Sequence, residues 1–177
     1  MQLISSLLPL LVVTSFTTAL PVTKTKRSAT TVLSDIASIS SDVATLTSDA
    51  VAYTGGLFQS LALAITVDSL ESAITTATSD TTSSGTFSST DSDSILAAVN
   101  TLTPKIITLL GDLDAKASTI SSAGYTSTVA SALETLTTDT NALFAALEAA
   151  LDTADSTSLA ALQASVDAAF ATASATF

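Results

Sequence analysis

The 177-residue chain predicts an all-α fold, a single bundle of about five antiparallel amphipathic helices. Two observations carry that prediction. Val32, Ile36, Ile39, Val43, Leu46, Ala50 and Tyr53 recur in alternating steps of four and three, and three later segments repeat the rhythm. That period places apolar side chains on one face of a helix and scatters them over both faces of a strand. The connections between these segments are mostly short, which makes consecutive helices antiparallel neighbours.

Residues 3–20 form an apolar stretch ending in small and polar residues, followed by Lys24, Lys26 and Arg27. This pattern is that of a secretory signal peptide over 1–19. A transmembrane anchor is the alternative, although Pro9 and a threonine-rich end make the span marginal. Lys26-Arg27 reads either as a dibasic processing site closing a propeptide at 20–27 or as a basic linker. The helical domain is then 28–177. It keeps only Lys105 and Lys116 against all 16 acids, a net charge of −14. Phosphate backbones and anionic membranes are repelled by such a surface, so neither nucleic acid binding nor stable membrane insertion is expected. The absence of cysteine leaves stability to burial alone.

The first helix spans about 29–54, with Asp35, Asp42 and Asp49 seven apart on its wet side. Gly55-Gly56 marks a turn, because paired glycines cost about 1 kcal/mol each inside a helix. A second helix, about 57–78, carries two apolar stripes: Leu63, Val67, Leu70, Ile74 and Ala77, and then Leu57, Phe58, Leu61 and Ile65. A helix apolar on two faces is central or lines something. Residues 79–91, SDTTSSGTFSSTD, have no period and read as the longest loop, either O-glycosylated or simply solvated. No Asn-x-Ser/Thr sequon occurs, so N-glycans are not expected.

The third helix begins with Ser92 or Asp93 as N-cap and carries Ile95, Val99, Leu102, Ile106, Leu109 and Leu113. Pro104 inside it predicts a kink near Leu102 or Thr103, and Gly124 ends the segment. The fourth, about 127–152, presents Val129, Leu133, Leu136, Leu143, Leu147 and Ala150, with Phe144 beside them and Thr140 on the missing rung. The fifth, about 156–173, presents Leu159, Leu162, Val166, Ala169 and Phe170.

Catalytic chemistry finds little footing. Histidine, the commonest general base, is missing, and so is the cysteine that would serve as nucleophile or thiolate ligand. The close acidic pairs Asp91/Asp93, Asp112/Asp114 and Asp152/Asp155 fall at predicted helix ends or beside apolar ladders, where acids favour the dipole or keep a face wet. No calcium-loop pattern appears, and no cofactor, metal or catalytic residue is expected. Lys116 extends the apolar stripe of its helix. There it either meets a ligand carboxylate or lays its stem on the core with its head in water. Gln59, beside Phe58, is either a second polar contact or an exposed helix residue.

Three stretches, VLSDIASISSDVATLTSDAVAYTGG, ILAAVNTLTPKIITLLGDLDAKAS and ALETLTTDTNALFAAL, together with the leader and its Lys-Arg step, carry a resemblance. In order and spacing the chain resembles the fungal hydrophobic surface-binding protein A and Mp1p-like cell-wall galactomannoprotein family, over nearly all of 28–177. The resemblance implies a secreted or cell-wall-associated helical bundle. Some members enclose an apolar tunnel holding fatty acids; others adsorb to hydrophobic solids and recruit secreted hydrolases. Wall members with a lipid anchor carry a polar stalk and an apolar tail that this sequence lacks before Phe177, so release in soluble form without a GPI anchor is expected.

The leading expectation is a non-catalytic fatty acid binding protein with an acyl chain between its helices. The apolar candidates are Leu57, Phe58, Leu61 and Ile65 from the second helix and Leu102, Ile106, Leu109 and Leu113 from the third. Leu133, Leu136, Leu143, Phe144 and Leu147 come from the fourth, and Gln59 and Lys116 are the polar candidates. Two alternatives stand beside it: adsorption to hydrophobic surfaces, and a structural wall mannoprotein glycosylated at 79–91. Sequence alone does not separate a lipid cavity from side chains interdigitating at native density.

Overall fold

The computed structural model describes residues 28–177, so the expectations for 1–27 lie outside the described residues. The elements are α1 (Ala29–Ala52), α2 (Leu57–Ser84), α3 (Ser89–Ala115), the short α4 (Ala117–Ser122), α5 (Thr126–Ala150) and α6 (Thr153–Thr176). No strand occurs among the described residues. All seven rungs from Val32 to Tyr53 are buried, as the 4-3 rhythm requires.

The five long helices close a ring. α1 packs on α2 and α3, α3 on α6, α6 on α5, and α5 back on α2, while α4 bridges α3 to α5. Ile39, Leu46, Ile95, Leu147, Leu159 and Val166 are among its fully buried side chains. Serine and threonine, mediocre helix formers, are accommodated by bonding back to their own helices. Thr47, Thr78 and Thr137 donate to the carbonyls of Val43, Ile74 and Leu133 at 2.7, 2.9 and 2.6 Å.

Three departures from the sequence reading have physical causes. First, α2 runs on to Ser84 and α3 begins at Ser89, so the expected loop shrinks to residues 85–88. Asp80, Thr81 and Ser84 face inward, and the Ser84 hydroxyl bonds the Asp80 carbonyl at 2.8 Å. Polar residues that read as loop thus sit on the buried face of a helix, small enough for close packing. Gly85, at φ +67°, turns the chain, and the Phe87 amide bonds the Ala150 carbonyl at 2.9 Å.

Second, α3 starts four residues earlier than expected. Ser88 is its N-cap: its oxygen accepts from the Asp91 amide at 3.2 Å and its hydroxyl donates to the Asp91 carboxylate at 2.7 Å. Ser92, the expected cap, is instead buried, and its oxygen accepts from the Asp152 amide at 3.2 Å. α3 stays helical through Pro104. Third, the segment expected to run to Gly124 breaks at Lys116, which leaves α4 as a sixth, single-turn element.

Candidate ligand-binding lumen

Three apolar voids share walls along the inside of the ring. The widest, a cavity of about 90 Å³ with an open mouth, lies between Leu46, Leu63, Val67, Leu113, Val129 and Leu133. Leu109, Leu110 and Leu136 separate it from a second void, to which all five long helices contribute. Ile39, Ile74, Ile106 and Thr140 belong both to that void and to a third, which ends among Leu102, Leu143, Phe144 and Leu147. Shared walls set the three in a row, an interrupted apolar lumen whose voids are separated by side chains.

Polar groups in the widest void are confined to the end where α1 stops and α2 starts. Tyr53, Ser60, Lys116 and Tyr125 gather there. The Ser60 hydroxyl donates to the Gly56 carbonyl at 3.1 Å, so the Tyr53 hydroxyl donates to Ser60 at 2.9 Å. The Lys116 ammonium donates to the Tyr53 carbonyl oxygen at 3.2 Å, and among the described residues no carboxylate pairs with it. The Tyr53 and Ser60 hydroxyl protons are both spent inside the protein, so it is the Lys116 ammonium, with donors left beyond the Tyr53 carbonyl, that suits a molecule with one anionic end and a long hydrocarbon body. Elsewhere the acids repel one another. Burial, then Asp152 and Asp93, push the Asp155 carboxyl above its usual range, and burial, Asp139 and Asp68 do the same to Glu71.

The candidates fall into three groups. Leu109, Leu113, Leu133, Leu136 and Lys116 line the widest void, and Leu102, Ile106, Leu143, Phe144 and Leu147 line the narrower ones. Leu57, Phe58, Leu61 and Ile65 correct the sequence reading: they point outward, 71, 85, 57 and 61% exposed. The inner face of α2 is its other stripe, because Leu63 and Val67 continue into the fully packed Leu70 and Ile74. Gln59 is also corrected. Its Oε1 accepts from the Thr54 amide and hydroxyl, both at 3.0 Å, and from the Gly56 amide at 3.3 Å, while Nε2 donates to the Ala52 carbonyl at 3.1 Å. It fastens the α1–α2 turn and is not among the residues that line the void. Leu46 and Ala50 of α1 and Tyr53, which caps it, were missed as lumen residues although their ladder was plain in the sequence. Periodicity finds a buried face and does not say whether side chains or space lie opposite it.

No three acidic, histidine or cysteine side chains converge on a metal-sized site among the described residues. Comparison with known proteins agrees with the helical fold. The structure is similar to that of Afmp4p in complex with palmitic acid, with a TM-score of 0.83 and 38% identity over 84% of this chain and 99% of that one. Ligand binding domain 1 of the Penicillium marneffei MP1 protein, complexed with arachidonic acids, superposes with a TM-score of 0.79 at 17% identity over 84% of this chain and 98% of that one. Domain 2 of the same protein, complexed with multiple arachidonic acids, gives 0.79 at 18% over 86 and 97%. At such identities the two MP1 domains show the shared fold. No curated protein sequence matches the chain. The model of hydrophobic surface binding protein A matches residues 29–149, and the chain is a member of that family.

Proposed function

We propose that this protein is a secreted, non-catalytic carrier of long-chain fatty acids. It holds the acyl chain along the lumen, with the carboxylate at the Lys116, Tyr53 and Ser60 end. The single observation that carries the reading is an apolar lumen with the Lys116 side chain at one end, its ammonium bonded to a backbone carbonyl and with donors to spare. Each methylene taken out of water contributes about 0.8 kcal/mol, so a long acyl chain supplies ample driving force to part the side chains that partition the tube. The palmitic acid complex of Afmp4p supports the ligand class. Secretion is supported by the leader and its Lys-Arg step. Native mass spectrometry of protein from lipid-rich medium is expected to show an added fatty acid mass. Palmitate at about 100 times its Kd then raises stability by about 2.7 kcal/mol. An unliganded mass together with an unmoved melting temperature contradicts the proposal.

A second reading is favoured by one specific observation, the outward row of Leu57, Phe58, Leu61 and Ile65. It suits adsorption to hydrophobic solids, the property that names the family, and recruitment of a secreted hydrolase there. Quartz-microbalance uptake on polystyrene, lost when Phe58 and Leu61 become serine, supports it; equal uptake by both proteins removes it.

A further inference from the structure

The first half of α2 has one face on the lumen and the other in solvent. Leu63 and Val67 line the widest void, while Leu57, Phe58, Leu61 and Ile65 stand outside, and Val51 near the end of α1 is exposed as well. No residue of α2 ahead of Leu70 is fully buried. The most apolar stretch of α2 is as apolar as that of α3, yet only 11% of it is buried against 33%. From Ala50 to Val67 the sequence contains no charged residue, whereas residues 28–177 as a whole carry −14. This half-helix follows Gly55, which sits at φ +94°, a backbone conformation that other residues rarely adopt.

We infer that this half of α2 is a gate that docks on uncharged lipid surfaces and exchanges the acyl chain directly between such a surface and the lumen. The inference rests on the fatty acid carrier reading. A charge-free apolar row enters a zwitterionic interface at no electrostatic penalty, and the acidic body is repelled by an anionic one. Because the docked row and the lumen wall are opposite faces of one helix, a shift of that helix opens the tube toward the lipid and not toward water. The acyl chain then crosses without full exposure to solvent. A second copy of the chain would cover the row equally well by shape, but it would bring its own negative charge to the contact.

The test is stopped-flow transfer of anthroyloxy-labelled palmitate from the purified protein to vesicles, with the double variant Phe58→Ser/Leu61→Ser in parallel. With phosphatidylcholine vesicles the rate is expected to rise with vesicle concentration and to fall about tenfold in the variant, while the equilibrium affinity for the label is unchanged. Phosphatidylserine in the vesicles slows transfer by the parent protein, and salt restores it. A rate independent of vesicle concentration and equal in both proteins, with binding intact, overturns the gate and leaves the carrier reading standing. A dimer in sedimentation velocity that dissociates in the variant assigns the row to a second copy and also overturns it. Failure of the parent protein to bind the label contradicts the carrier reading itself.

Discussion

The Lys116 ammonium donates to the backbone carbonyl oxygen of Tyr53 at 3.2 Å, joining the end of α3 to the end of α1 across 63 positions of sequence. A lysine spent on a carbonyl, with no carboxylate partner among the described residues, retains donors for an anionic ligand. Hydrogen bonds to charged groups contribute about 1.5–3 kcal/mol, so Lys116→Met is expected to weaken palmitate binding by about 10- to 100-fold. Methyl palmitate, which lacks the charge, should lose far less. Isothermal titration with both ligands checks this, and equal losses would place the carboxylate elsewhere.

Leu136 belongs to both the widest void and the one beyond it, opposite Leu109 and Leu110. A larger side chain there shortens the tube without touching its mouth. Leu136→Phe should therefore bind decanoate nearly as well as the parent protein and lose affinity for palmitate. Each methylene kept from burial costs about 0.8 kcal/mol. A chain-length series measured by ligand displacement reads this directly; uniform loss at every length counts against it.

Gln59 supplies three accepted hydrogen bonds and one donated bond to the turn between α1 and α2. Gln59→Ala should lower stability by about 1–2 kcal/mol, with palmitate affinity changed less than twofold. Urea unfolding monitored by circular dichroism gives the first quantity and titration the second. A large affinity loss with stability intact would return Gln59 to the ligand.

Asp155 is buried, and its Oδ2 has no hydrogen-bond partner among the described residues. Burial, then the charges of Asp152 and Asp93, raise its pKa, and Glu71 is raised for like reasons. The folded chain thus holds these protons more tightly than the unfolded chain. Stability is full below the ordinary carboxylate value of about 4 and falls as pH rises through the elevated values. Melting temperature is expected to increase on acidification through the raised values of these two groups toward the ordinary carboxylate range. Asp155→Asn should be more stable than the parent at pH 7, with the difference closing as pH falls. The opposite slope would show that other carboxylates dominate.

Much of the architecture was legible in the sequence because each long helix buries an aliphatic ladder, and Val32 to Tyr53 announces α1 rung by rung. The stretch from Asp80 to Ser84 was not legible, since polar residues on a buried helical face carry the same composition as a loop. The two stripes of α2 were both visible, but which faces inward depends on what packs against it. The continuation of Leu63 and Val67 into Leu70 and Ile74 is the sequence clue that decides it. Tyr53 and Ser60 meet Lys116 only when α1, α2 and α3 are folded together, so their gathering at one mouth has no local signature.

The central claim, an acyl chain inside the ring with its head at Lys116, is tested most directly by a crystal structure of the protein with palmitate. The account predicts continuous density between Leu109 and Leu136, with the carboxylate within hydrogen-bond distance of the Lys116 ammonium. Density lying instead on the outer face of α2 against Phe58, with the lumen closed by side chains, would contradict it.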